Sequence, residues 1–246
     1  MTMRRAVAWG LAGVVASIAA LAPLPARAEL LPPLVAADGS VAAAWRDARL
    51  PQQQLPATRY AAETIDGRRA VRIEAEGAYG NLVHALRAEA PGLSLSWSWR
   101  VERFVEQSDL RRKEGDDNAV KVCVFFDLPM AAVPFVERQL LRLARSKTGE
   151  ALPAATVCYV WDRQLAAGTA LPNPYSRRVR YLVLRSGEGD RGGWRDEHRD
   201  VAADFLRLFG DEATQVPAVT AVAFGADADN TGGRSLAFVA DLSLDR

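Results

Sequence analysis

The chain has 246 residues, 31 basic and 30 acidic side chains, 49% hydrophobic residues, two cysteines and two histidines. A charge balance so near neutral excludes the strong basic excess of a nucleic-acid-binding domain. A Cys/His zinc site would need both cysteines and both histidines, and His84 and His198 show no ligand spacing.

The N-terminus reads as a signal peptide over residues 1–28. Arg4 and Arg5 form a positive start, an uncharged Ala-, Val- and Leu-rich run extends from Ala6 to Leu24, and Ala26-Arg27-Ala28 supplies the small-x-small cleavage pattern. Pro23 and Pro25 interrupt the run, which favours removal over a retained span of about 20 apolar residues. Cleavage after Ala28 leaves a chain with no stable membrane anchor, periplasmic or secreted, carrying 28 bases against 30 acids. In an oxidising compartment Cys123 and Cys158, both in expected strands, could join as a disulfide or remain two buried thiols.

Residues 29–58, rich in Ala, Pro and Gln, read as an extended lead-in with one short helical turn near Val41–Ala48. A single domain over residues 59–246 follows, a length all-β sandwiches reach at about 200–250 residues. Tyr60–Ile65 and Ala70–Ala75 flank Asp66-Gly67, a hairpin signal because the tight turn needs residues tolerant of positive φ. Leu82–Ala88 is the next strand. Leu93–Val101 alternates cleanly, with Leu93, Leu95, Trp97, Trp99 and Val101 on one face. After a charged loop over Asp109–Asp117, Asn118–Asp127 reads as a central strand. Pro134–Ser146 is a helix whose stripe is Phe135, Leu140, Leu141, Leu143 and Ala144. Further strands are Ala155–Trp161, Arg178–Arg185 and Trp194–Asp200, then a short helix Val201–Phe209 with Gly210 as its C-cap, and last Ala218–Phe224 and Ser235–Leu244. Strands that do not alternate with helices argue against a parallel α/β sheet. The fold class expected is mainly β, an antiparallel two-sheet sandwich of jelly-roll type with one or two inserted helices.

No catalytic motif stands out. Gly187-Glu188-Gly189-Asp190-Arg191-Gly192 has dinucleotide-site spacing, but Glu188 and Asp190 would face the pyrophosphate and no βαβ unit surrounds it, so it reads as a turn. His198-Arg199-Asp200 lacks every companion of a kinase catalytic loop. Asp227-Ala228-Asp229-Asn230-Thr231-Gly232 copies the first half of a calcium loop, yet its twelfth position is Phe238, which has no oxygen to offer. A calcium site would therefore draw on Asp227, Asp229 and Asp241, and the competing reading is a turn held by Asx bonds. Trp161, Asp162 and Trp194 are the candidate ligand-binding residues, since an exposed indole stacks on a sugar ring and a carboxylate takes its hydroxyls. Trp97 and Trp99 share a face with Leu95 and Val101 and are assigned to the core.

Several segments together resemble a bacterial family of exported proteins catalogued as domain of unknown function 3047. They are Leu95–Val101, Asp116-Asp117 leading into Val122–Asp127, Tyr159-Val160-Trp161, Pro174-Tyr175, Arg185-Ser186-Gly187, Trp194, Arg199-Asp200-Val201, Asp204, Phe209-Gly210 and Asp227–Thr231. The resemblance implies export and a β-rich fold, and brings no activity. The expectation is a non-catalytic module that binds an envelope or extracellular ligand such as a glycan. The alternatives are a polysaccharide hydrolase or lyase using paired carboxylates from among Asp116, Asp117, Asp127 and Asp162, and an envelope assembly protein docking a protein partner on the helix at Pro134–Ser146.

Overall fold

The computed structural model describes residues 29–49, 53–148 and 151–246; the segment read as a signal peptide lies outside them. Among the described residues twelve strands and two α-helices follow one another. They are β1 (Arg46–Ala48), β2 (Arg59–Ile65), β3 (Arg68–Glu76), β4 (Tyr79–Ala88), β5 (Ser94–Arg103), β6 (Lys121–Phe126), α1 (Phe135–Thr148) and β7 (Ala155–Asp162). Then come β8 (Ala170–Pro172), β9 (Val179–Ser186), β10 (Arg195–Asp200), α2 (Val201–Phe209), β11 (Val219–Asp227) and β12 (Arg234–Asp245). They form a two-sheet sandwich. One sheet has seven strands in the order β1-β4-β11-β6-β7-β9-β8, the other five in the order β10-β5-β12-β3-β2. Every pairing is antiparallel except β7 with β9, where the short edge strand β8 makes the return leg between them.

The core lies between the sheets. Alternation in β5 delivers Leu95, Trp97, Trp99 and Val101 into it, as the sequence pattern requires. The seven-stranded sheet answers with Val122, Val124 and Phe126 from β6, Tyr159 and Trp161 from β7, and Val222 and Phe224 from β11. All eight residues of β7 are buried because this sheet is covered on both faces. On its outer face a second cluster of Leu110, Cys123, Cys158, Val160, Tyr181, Val183 and Ala223 packs beneath the loops that follow β5 and β7. Cys123 and Cys158 sit directly opposite each other on β6 and β7 and are joined as a disulfide.

Two readings of the sequence need correction. The lead-in carries no helical turn near Val41–Ala48; it holds β1 and sends Leu31, Leu34 and Trp45 into the main core. The stripe on α1 is not its buried face: Leu141 is buried, whereas Phe135, Leu140 and Leu143 are each more than half exposed. The helix is amphipathic, but it lies on the rim of the sandwich. α2 instead fills space between the sheets, with Val201, Phe205 and Phe209 buried and the Phe205 ring 4.7 Å from that of Phe126. Asp200 caps its first turn, accepting from the Ala203 N–H at 2.9 Å.

Candidate functional site

The site forms where two neighbouring strands end together. β6 begins beside the end of β11, so the residues before Lys121 and after Asp227 meet although about a hundred residues separate them in the chain. Asn118 and Asp227 exchange two backbone hydrogen bonds at 3.2 and 3.0 Å, an opposed pair whose side chains share the outer face of the seven-stranded sheet.

Four carboxylates gather here. Asp227 accepts from the Lys121 ammonium at 2.6 Å and from the Asn118 N–H at 2.8 Å. Both partners of this ion pair are buried, and the Tyr79 ring lies 5.4 Å from the ammonium. Burial alone would lower the Lys121 pKa, but Asp227 reverses that and raises it. Asp117 is fully used: it accepts from Thr231 N–H and Oγ1 at 2.8 and 2.6 Å and from Asn230 N–H and Nδ2 at 3.1 and 3.2 Å. It is the clasp of the loop between β11 and β12. Asp116 accepts from Tyr181 Oη at 2.9 Å and Asn173 Nδ2 at 2.5 Å. Burial, then the negative charge of Asp227, pushes Asp116 up to about 7. Burial, then Asp227 and Asp117, pushes Asp229 up to about 6.

Two polar atoms at this site have no protein partner, Asn118 Nδ2 and Asp229 Oδ1. Asn118 is 3% exposed, and an unmet polar atom at such depth costs about 1–3 kcal/mol. One is a donor and the other an acceptor. Beside them Tyr175 is 58% exposed, its hydroxyl donating to Asn230 Oδ1 at 2.5 Å and its ring 5.4 Å from the Lys113 ammonium. The arrangement thus has a charged floor, a protonatable carboxyl on each side of it, an unmet donor–acceptor pair, and an aromatic ring at the rim.

The residues singled out in the sequence do not assemble. Trp161 is 2% exposed, wedged between Trp99 and Phe104 with ring centroids 6.1 and 6.0 Å away, its Nε1 donating to the Gly187 carbonyl; it is a core side chain and no platform for a ligand. Asp162 is buried and caps the turn after β7, accepting from the Gln164 and Leu165 N–H groups. Trp194 is half-buried on the outer face of the five-stranded sheet, with the Arg68 guanidinium 5.3 Å over its ring.

The calcium set is likewise divided. Asp227 and Asp229 share the site, but Asp241 stands on the other sheet, 3.4 Å from Arg68 Nη1 and from Ser98 Oγ. The register of β12 shifts between Ala240 and Ser243, and Asp241 adopts φ 52° within that bulge, which turns its side chain outward. Lys121 already supplies the positive charge at Asp227, and among the described residues no three His, Cys, Asp or Glu side chains converge to hold a metal ion.

Asn118, Lys121, Asn173, Tyr175 and Tyr181 were not singled out as site residues. One signal was present: Lys121 is a lone charge at the head of an otherwise apolar central strand, where a buried ammonium demands a carboxylate.

Residues 43–243 match a family described as "Protein of unknown function (DUF3047)". The chain belongs to that family. The match takes in both strands of the site and every residue named in it. Among solved structures, this DUF3047 member is similar to the xyloglucanase domain of NopAA, a type three effector from Sinorhizobium fredii, in complex with cellobiose. That likeness has a TM-score of 0.37 and 8% identity, over 82% of this chain and 97% of that one. No curated protein matches the chain.

Proposed function

We propose that the chain is a binding module for a glycan, held at the junction of β6 and β11. The observation that carries this reading is the pair of unmet atoms, Asn118 Nδ2 and Asp229 Oδ1, within one polar cluster. A sugar carries hydroxyls that both accept and donate, the two complementary functions these atoms lack. Tyr175 at the rim offers an exposed ring for the apolar face of the sugar.

The test is isothermal titration of the protein with β-glucan, xylan, homogalacturonan and peptidoglycan fragments. Binding of one of these should weaken at least tenfold in both Asn118→Ala and Asp229→Ala, each of which removes one unmet atom. Silence across the panel, or binding that survives both substitutions, defeats the reading.

A hydrolase is the second reading. Its support is Asp116, whose carboxyl at about 7 is poised to hold or release a proton beside Asp227. Reducing sugar released from the bound glycan by the parent and abolished in Asp116→Asn would move the assignment from binding to catalysis.

The proposal places this work outside the cytoplasm. Its support is the Arg4-Arg5 start, the apolar run and the Ala26-Arg27-Ala28 site, together with a disulfide, a bond that persists in oxidising compartments. N-terminal sequencing of the protein recovered from an exporting host should begin at Glu29, and an intact Met1 would refute the assignment.

A further inference from the structure

Among the described residues seven large apolar side chains stand exposed, and four of them belong to α1: Phe135, Val136, Leu140 and Leu143, at 66, 67, 57 and 52%. At about 100° per residue these four share an outward arc with Gln139, Ser146, Arg142 and Lys147. The inward arc accounts for the other charges. Glu137 lies 3.6 Å from the buried Arg178, Arg138 donates to the Met130 carbonyl, and Arg145 donates to the Leu152 carbonyl. The outward arc therefore carries two cations, Arg142 and Lys147, and no acid.

We infer that α1 is an interfacial helix by which the protein adsorbs reversibly to an anionic lipid surface. Fourteen residues give about 21 Å of helix, too short for a hydrocarbon core of about 30 Å, so the helix lies in the plane of the headgroups. Phe135, Val136, Leu140 and Leu143 enter the acyl boundary while Arg142 and Lys147 meet lipid phosphates, the pairing that membrane-surface helices use. A lipid surface also needs no shaped groove, only the outward row of apolar side chains that α1 presents. A second copy is a poorer occupant, because a two-fold pairing of the helix with itself would set these cations against each other with no acid in either arc. Adsorption of this kind is not a stable anchor, and it is independent of the glycan reading, since α1 contributes no residue to that site.

The test is co-sedimentation of the full chain with vesicles of phosphatidylglycerol and phosphatidylcholine, and with phosphatidylcholine alone. Leu140→Ser/Leu143→Ser and Arg142→Glu/Lys147→Glu are the variants. All forms share one N-terminal segment, so the differences among them report the helix. The substituted side chains are exposed, and unchanged melting midpoints would confirm intact folding. The serine variant should partition at least tenfold less onto the anionic vesicles. The glutamate variant should lose at least about fivefold per reversed cation there, because each change removes a positive charge and adds a negative one, and nothing on neutral ones. Equal partitioning of all three forms overturns the inference. So does parent protein that forms dimers dependent on Leu140 and Leu143 and shows no preference for anionic lipid.

Discussion

At the scale of residues, the chemistry of the site reduces to where a proton or a charge can rest. Lys121 and Asp227 are buried together, so removing one strands the other. Lys121→Met should cost roughly 3–5 kcal/mol, and Lys121→Met/Asp227→Asn should recover part of that loss, because the second change discharges the abandoned carboxylate. Urea unfolding of the two variants measures the difference, and a double variant no more stable than Lys121→Met would refute this account. Asp116 makes a separate prediction. Its folded pKa, about 7, stands above the ordinary 3.8, and that of Asp229 is raised to about 6. Between those limits the folded chain keeps protons the unfolded chain has released. The stability these two groups contribute is therefore full below 3.8, and is lost as pH rises through about 6 for Asp229 and about 7 for Asp116. Asp109 has the opposite sign: Arg111 holds it at about 2, and its contribution is lost as pH falls through that value. Asp116→Asn should flatten the decline of the urea midpoint from about pH 4 to 8, and an unaltered slope would mean that Asp116 is not the group responsible.

At the scale of elements, regular strands were legible and the meeting of distant ones was not. The alternation of Leu95, Trp97, Trp99 and Val101 and the Asp66-Gly67 turn each report a local period, and β5 and the β2–β3 hairpin follow from them. β6 and β11 are neighbours with six other elements between them in the chain, and no local pattern announces that Asp116-Asp117 will clasp Asn230-Thr231. Trp161 shows the same limit: an indole beside an aspartate reads alike at an exposed strand end or facing the opposite sheet, and only its packing against Trp99 and Phe104, distant in the chain, decides it. α1 is the converse case, since an amphipathic period marks a helix without saying which stripe is covered. Where β11 passes β4, close approach sets a sharp requirement. A Cβ on Gly225 would lie 2.6 Å from the Gly80 carbonyl oxygen and 2.8 Å from Tyr60 Oη. Gly225→Ala should destabilise by roughly 1–3 kcal/mol, because backbone must move to admit it. The disulfide ties β6 to β7 across a sequence separation of 35, and Cys123→Ala/Cys158→Ala should lose about 4 kcal/mol by the loop-entropy relation. Reducing and non-reducing melts of the parent give an independent measure of that second value.

At the scale of the whole molecule, the question is where the folding unit starts. Composition marks residues 29–58 as a lead-in, yet Leu31, Leu34 and Trp45 are each 5% exposed or less. The Trp45 ring stands 5.1 Å from that of Phe224 in β11, and Leu30 N–H bonds to the Leu244 carbonyl near the end of β12. The first described residues thus touch both sheets, through β11 on one side and β12 on the other. A chain cut to begin at Arg59 would lose three large core side chains at once. Truncating one buried Trp or Leu to Ala costs about 2–5 kcal/mol, and a whole domain is stable by only about 5–15 kcal/mol. The deletion therefore consumes the margin, and the shortened chain should show no cooperative heat absorption in calorimetry, whereas the uncut protein should melt in one transition. If the shortened chain melted cooperatively at the parent's temperature, residues 29–58 would be an appendage despite their burial, and the sandwich would be complete without its first strand. Trp45→Ala separates the two cases within the uncut chain, because a core Trp lowers the midpoint on removal and a tethered surface Trp leaves it in place.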